Sequence, residues 1–380
     1  MTIPAGLEHY GWPPPPRVNW NLVGHEDAER ELLDAFNSQR MHHAWMFTGP
    51  RGIGKATLAF RFARFVLSAG SGAGGAATGG LFAEAPTKAP ESLYVDPRDP
   101  LFRRVASGGH ADLVTIERSL DDKQKKLRSE IVVPDVRGLA GFMARTPAEG
   151  GWRVVVVDCA DEMNRHAANA LLKVLEEPPS RALLLLVSHA PGRLLPTIRS
   201  RCRILGLRPL RDETVASLVT EYRSDITAEQ VADLARLAGG SIGHALGLAE
   251  QGGLTLYADV MRLLAGLPSI DGVALHRMGD AVAKAGADET YHSVVELLRD
   301  LLSRLIRHAA ADAPAEAVGG GSVAEEQALF ARLAPAASLD RWLEVWEKTS
   351  RLLARAESAR LDRKQVLLNV FLEIESAVRT

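Results

Sequence analysis

The sequence predicts an α/β domain built on a parallel sheet, followed by helical domains. Three observations predict it. Short apolar runs alternate with helical patterns through the first half, as in sheets covered on both faces. A phosphate-loop signature sits between one such run and a helix. After about Pro209 only helical periodicity continues.

The elements follow in order. Residues 1–19 contain Pro13–Pro16 and read as an extended arm. Ala44–Phe47 is the first predicted strand, and Thr57–Leu67 the helix after it. Residues 68–92 hold six Gly and seven Ala, too little apolar bulk to fix themselves, and read as a mobile insertion. Asp112–Ile116 is a second strand, Val136–Met143 a helix, and Val154–Val157 a strongly β-branched third strand. Asn164 caps a helix running to about Glu176, stopped by Pro178-Pro179, and Leu183–Val187 is the fourth strand. Beyond Pro209, Thr214–Arg223 is helical, and Thr227 with Gln230 forms a capping box for a helix ending near Gly239-Gly240. Ser241 caps the next helix. Two later stripes, Leu297–Leu305 and Val366–Ile374, have the spacing of core-facing helices, with a loop expected over 312–323.

Composition narrows the function classes. Net charge is −2, from 45 Lys+Arg against 47 Asp+Glu, which excludes a globally basic nucleic-acid coat. The only cysteines are Cys159 and Cys202, which excludes a disulfide framework or a cysteine-rich zinc module. Met1–Trp12 lacks the features of a signal peptide and no apolar run reaches spanning length, so a cytoplasmic chain without membrane contact is expected. The 36 Arg against 9 Lys run through the whole chain with abundant Ala and read as codon bias, so each Arg is argued singly.

The chemistry concentrates at four places. Gly49, Pro50, Arg51, Gly52, Ile53, Gly54, Lys55, Ala56 and Thr57 carry G-x-x-x-x-G-K. Glycines let backbone N–H groups turn inward around an anion, and Lys55 would reach the outer phosphates. The position after Lys55 should offer a hydroxyl to Mg²⁺; here it is Ala56, and Thr57 lies about 100° further round the helix. Asp158 ends the third strand, where a carboxylate can help hold Mg²⁺, but Cys159 follows where an active hydrolase places a Glu. Asp161 and Glu162 come later. Finally, Arg181–Arg211 contains seven Arg and no Asp or Glu. Lys123, Lys125, Lys126 and Arg128 form a second cluster, offset by Asp121, Asp122 and Glu130, and read as a solvated loop.

Three longer stretches carry a resemblance. Asn164–Pro179, with Asn-Ala-Leu-Leu-Lys-Val-Leu-Glu-Glu-Pro-Pro at its end, resembles the helix motif of bacterial clamp-loader subunits. Leu194–Cys202 resembles their Ser-Arg-Cys motif, and Gly239–Ile242 the start of their second sensor helix. With the phosphate loop and Asp158 in order over residues 20–250, the chain resembles the delta-prime family of the DNA polymerase III clamp loader.

The resemblance implies an AAA+ domain over 20–208, a helical lid over 209–253 and a helical collar over 254–380 through which subunits join. It implies gamma/tau and delta subunits as partners, and the beta clamp and primer–template DNA through the complex. It gives Arg201 the role of an arginine finger on a neighbour's ATP, and Ser188 that of an approximate first sensor, with His189 competing. The zinc-binding cysteines of the gamma/tau type are absent, and Gly243 stands where that type carries a sensor arginine. The expected role is therefore a stator with a decayed site of its own. ATP and Mg²⁺ belong to the neighbour more than to this chain, and Asp158 is the only candidate Mg²⁺ contact. Two rivals stay open at this stage: a gamma/tau-like ATPase using Gly49–Lys55 and Asp158, and a DNA adaptor using the Arg181–Arg211 face.

Overall fold

The computed structural model describes residues 13–70, 89–121, 127–149, 151–284, 286–311, 322–359 and 361–379. Internal contacts divide the chain into two units, one of Met1–Ser224 with Gly239–Gly243 and one of Asp225–Ala238 with His244–Thr380.

The first unit contains α1 (Glu26–Asn37), β1 (Ala44–Thr48), α2 (Lys55–Gly70), α3 (Pro100–Ala106), β2 (Leu113–Ile116), α4 (Val133–Val136) and α5 (Leu139–Ala144). It continues with β3 (Arg153–Val157), α6 (Arg165–Glu176), β4 (Ala182–Ser188), α7 (Pro196–Arg199), β5 (Arg203–Gly206) and α8 (Asp212–Tyr222). The strands form one sheet in the order β2-β3-β4-β1-β5, and every pairing is parallel. β3 and β4 are buried along their whole length, which is why they read as continuous apolar runs. One face packs on α2 through Trp45, Phe47, Val154, Val156 and Leu185; the other packs on α6 through Met46, Val155, Val157 and Leu184.

The four expected strands and the α2 and α6 helices are present within a few residues of their expected bounds. Asn164 caps α6 by accepting from the Ala167 N–H at 2.9 Å. The helix expected over Val136–Met143 is two short ones, α4 and α5. β5 was not visible in the sequence. It is an edge strand whose only buried side chain is Leu205, so it shows neither an apolar run nor a clean alternation. Residues 13–19, the described part of the expected arm, pack on the first unit rather than standing apart. Val18 and Trp20 are buried with Phe102, and the Arg64 guanidinium donates to the Arg17 and Asn19 carbonyls at 2.8 Å each. Most of the Gly/Ala-rich insertion and three of the four residues of the small basic cluster lie outside the described residues.

The second unit is helical: α9 (Ala228–Leu237), most of α10 (Ile242–Glu250), α11 (Gly253–Ala265), α12 (Gly272–Ala283), α13 (Asp288–Ala310), α14 (Ser322–Leu333), α15 (Leu339–Ala359) and α16 (Arg363–Arg379). The Thr227–Gln230 capping box is formed. Both expected stripes are core, from Leu297 to Leu305 on α13 and from Val366 to Ile374 on α16. The lid expected over 209–253 is shared between the units, α8 going with the first and α9 with the second. Glu326 organises part of the second unit. It is buried and takes Arg236 at 2.7 Å, Arg304 at 2.9 Å and the Tyr257 hydroxyl, so four helices meet on one carboxylate. Among the described residues no helix is long and apolar enough to cross a membrane.

Candidate functional site

β1 delivers the chain to the phosphate loop at the C-terminal edge of the sheet, where ligands bind in open parallel sheets. Gly49 has φ +141° and Gly52 φ +74°, conformations that side chains rarely adopt. Neither position has room for one either. A Cβ on Gly49 would stand 2.5 Å from the Leu207 carbonyl oxygen, and one on Gly52 would stand 2.4 Å from Ser241 Oγ and 3.0 Å from Gly243 Cα. The loop is therefore closed over by Ser241 and the start of α10, and the Gly243 N–H donates to the Gly52 carbonyl at 3.0 Å. The position expected to lack a sensor arginine is the one that touches the loop.

Lys55 does not point outward. Its ammonium donates to the Gly49 carbonyl at 2.7 Å and to the Pro50 carbonyl, and the residue is 2% exposed. Burial pushes its pKa down to about 8, against the opposing pull of Asp161, Cys159 and Asp158. His25 bonds the Ile53 carbonyl at 2.6 Å from the other side. The backbone turn fits a phosphate, but the surroundings do not fit a metal–nucleotide. Ala56 packs against the core, Thr57 is buried, and neither supplies the missing hydroxyl.

The strand ends beside the loop gather the remaining candidates. Asp158 is pushed up by burial. Cys159 takes a left-handed conformation at φ +57°, and its Sγ lies 3.2 Å from His189 Nε2. Burial pushes the thiol up to about 12 and the imidazole down to about 4, the latter helped by Lys55. The pair is thus neutral, not a thiolate–imidazolium. Ser188 is fully buried at the end of β4, and His189 donates its backbone N–H to Asp161 Oδ1 at 2.9 Å. Burial alone would raise Asp161; hydrogen bonding, first from the His189 N–H, outweighs it and holds the carboxyl below its ordinary value. Of the two sensor candidates, His189 is the one whose side chain reaches the residue after Asp158.

A cleft of about 720 Å³ opens next to Arg51 and Asp158. Glu162 sits in its wall, paired with Arg118 at 2.9 Å and with Arg51 at 3.7 Å. Arg51 and Arg118 are outnumbered there by Glu117, Asp135, Asp158 and Glu162, so the cleft is a poor host for a bare triphosphate. Arg118 and His25 were not singled out from the sequence, because no motif spacing links either to the loop.

Arg201 is elsewhere. β5 runs parallel to β1 with Arg203 level with Trp45 and Gly206 level with Thr48. Arg201 precedes β5, so it lies at the N-terminal edge of the strands while the phosphate loop lies at the C-terminal edge. At about 3.3 Å per residue the two are on the order of 15–20 Å apart along the strand direction. The local fold explains the Ser-Arg-Cys order. Ser200 Oγ and Arg201 Nη1 both donate to the Thr197 carbonyl, at 3.2 and 2.9 Å, and Cys202 packs into the sheet–α6 core. Arg201 Nη2 pairs with Glu176 Oε1 at 3.0 Å, the two side chains being 36% and 49% exposed. Of the other arginines in the run, Arg203 is bound locally, pairing with Glu31 at 2.7 Å and stacking on Trp45.

Residues 91–211 match the family "DNA polymerase III, delta subunit". DNA polymerase III subunit delta' of Pseudomonas aeruginosa is 39% identical over 216 residues, 56% of this chain and 58% of that protein. Subunit tau of Escherichia coli is 30% identical over 62% of this chain and 33% of its own length, and subunit gamma/tau of Mycobacterium tuberculosis 29% over 73% and 45%. The chain thus spans between about a third and three fifths of these relatives. A gamma subunit-related protein of Thermotoga maritima aligns over 92% of this chain and all of its own at 17% identity, with a TM-score of 0.37. In sequence the chain is thus similar to delta' and gamma/tau subunits of DNA polymerase III, with the family match confined to residues 91–211.

Proposed function

We propose that this chain is a delta-prime-like stator of the clamp loader, supporting ATP-dependent loading of the beta clamp onto primed DNA. In this reading it joins gamma/tau and delta subunits through the helical region expected over 254–380. It supplies Arg201 in trans to the ATP of a neighbour and does little or no hydrolysis itself. The observation that carries the reading is the separation of Arg201 from the chain's own phosphate loop by the length of a strand. An arginine there cannot serve a nucleotide on Gly49–Lys55, but it can meet one presented by a second subunit. Its fixed fork of donors suits the charge that develops on a γ-phosphate. The state of the loop supports the same reading: Lys55 is spent on its own carbonyls, Gly243 sits on Gly52, and Ala56 and Cys159 replace two groups that hydrolysis needs.

A second reading, a gamma/tau-like subunit with its own ATPase, keeps support from the complete G-x-x-x-x-G-K and from Asp158 beside it. One experiment separates the two. In a reconstituted complex, turnover is measured with only two ATP sites left intact, the one facing this chain and this chain's own. Arg201→Ala is expected to lower it by about 10³-fold or more, and Lys55→Ala to leave it within about twofold. The reverse pattern would support the second reading.

A further inference from the structure

We propose that Glu176 is the positioning residue for Arg201. It would fix the guanidinium in the orientation in which it meets a neighbour's nucleotide. This rests on the trans role proposed for Arg201. The geometry carries it. Glu176 is the last residue of α6 and Arg201 lies in the turn after α7. They meet as an ion pair at 3.0 Å, and Arg201 also donates a hydrogen bond of 2.9 Å to the Thr197 carbonyl. The two acceptors take Nη2 and Nη1 respectively, so the plane of the guanidinium is set from two sides. A guanidinium has five N–H donors. One is used on the Thr197 carbonyl, while Glu176 holds the other terminal nitrogen by charge, so donors remain for a phosphate. A half-exposed pair of this kind contributes little to stability, because solvent screens it. Its value lies in orientation: a long, flexible side chain is held in one geometry before the partner arrives. Glu176 touches no nucleotide in this scheme and acts only through Arg201.

The test uses the full chain in the reconstituted complex, with turnover measured at the site facing it. Glu176→Ala is expected to lower kcat about tenfold while KM for ATP stays within about twofold, the split expected of a misplaced transition-state group. Glu176→Gln keeps the shape but removes the charge of the ion pair, so its rate should fall between those of wild type and Glu176→Ala. Thermal melting of each variant alone should match wild type. In an Arg201→Ala background, Glu176→Ala should have no further effect. If Arg201→Ala impairs turnover and Glu176→Ala does not, the positioning role is overturned and the finger stands. If Glu176→Ala costs as much with Arg201 absent, it acts by another route and the proposal falls. If Arg201→Ala itself is without effect, the trans reading fails and takes this proposal with it.

Discussion

The two edges of the sheet in the first unit treat Lys55 and Arg201 in opposite ways. At the C-terminal edge, Lys55 is buried, bonded to two carbonyls of its own loop and pushed down to about 8. The loop around it is pressed between His25 and Ser241 with the start of α10. At the N-terminal edge, Arg201 is half-exposed and keeps donors to spare. One edge has the motif of an anion site with its cation turned inward; the other has a cation turned outward and no anion of its own beyond Glu176. The contrast teaches that a phosphate-loop signature fixes the backbone turn without fixing where its lysine points, since Lys55 is bonded to the loop's own carbonyls.

The largest effect that would break this contrast is expected at Gly52. Gly52→Val places a branched side chain at φ +74° into Ser241 and Gly243. It should cost about 3 kcal/mol from backbone strain and overpacking. That corresponds to roughly 6–12 °C in Tm for a unit of this size. Glu176→Ala, at the open edge, should cost less than about 1 kcal/mol. Equal stabilities for the two variants in thermal melts would mean that the loop is not shut.

A smaller effect sharpens the comparison through pH. The folded value of Lys55 lies near 8, below the 10.5 of an unfolded chain. Between these values the unfolded state binds more protons, so stability rises with pH through that window. Below it both states are charged, and the cost of burying the charge is present in full. Lys55→Met should therefore raise Tm by a few degrees, about 2–4 °C per kcal/mol recovered, when melted at pH 7.5. It should also flatten the rise in stability between pH 8 and 10. A Tm that falls at pH 7.5 would place Lys55 among groups that the loop needs.

How much of this was legible beforehand depended on whether a residue's role was local. The buried strands, the α6 cap and the Thr227–Gln230 box were readable because each is written in a window of a few residues. β5 was hidden because an edge strand with one buried side chain carries no pattern. The loop's glycines and the departures at Ala56, Cys159 and Gly243 could be read, but the consequence of Gly243 could not. Its contact with Gly52 spans about 190 residues of chain, and no spacing rule reaches that far. The same holds for Arg201 and Glu176: both lie in recognisable motifs, yet their pairing is a fact of packing. The four-helix meeting at Glu326 was likewise invisible, since its arginines look like any others in an Arg-rich sequence.

The smallest expected effect concerns the two thiols, and it separates a decayed hydrolytic slot from a recruited one. Cys159 stands 3.2 Å from His189, the distance of a nucleophile and its base. In an activated pair the imidazolium lowers the thiol and the thiolate raises the imidazole. Here both move the other way, Cys159 up to about 12 and His189 down to about 4. Burial dominates each, and Asp158 and Glu162 further disfavour a thiolate. Cys202, at the opposite edge, is pushed up to about 12 by burial alone. At pH 8 such thiols hold so little thiolate that alkylation should run about 10³-fold slower than for a free cysteine. Iodoacetamide labelling of the native chain should therefore be slow at both positions, with no visible change in fold. His189→Asn should leave the Cys159 rate unchanged, because the imidazole is not its base. Rapid labelling at Cys159 that is lost on removing His189 would show a working pair at the strand end, and the two edges would then differ less than their lysine and arginine imply.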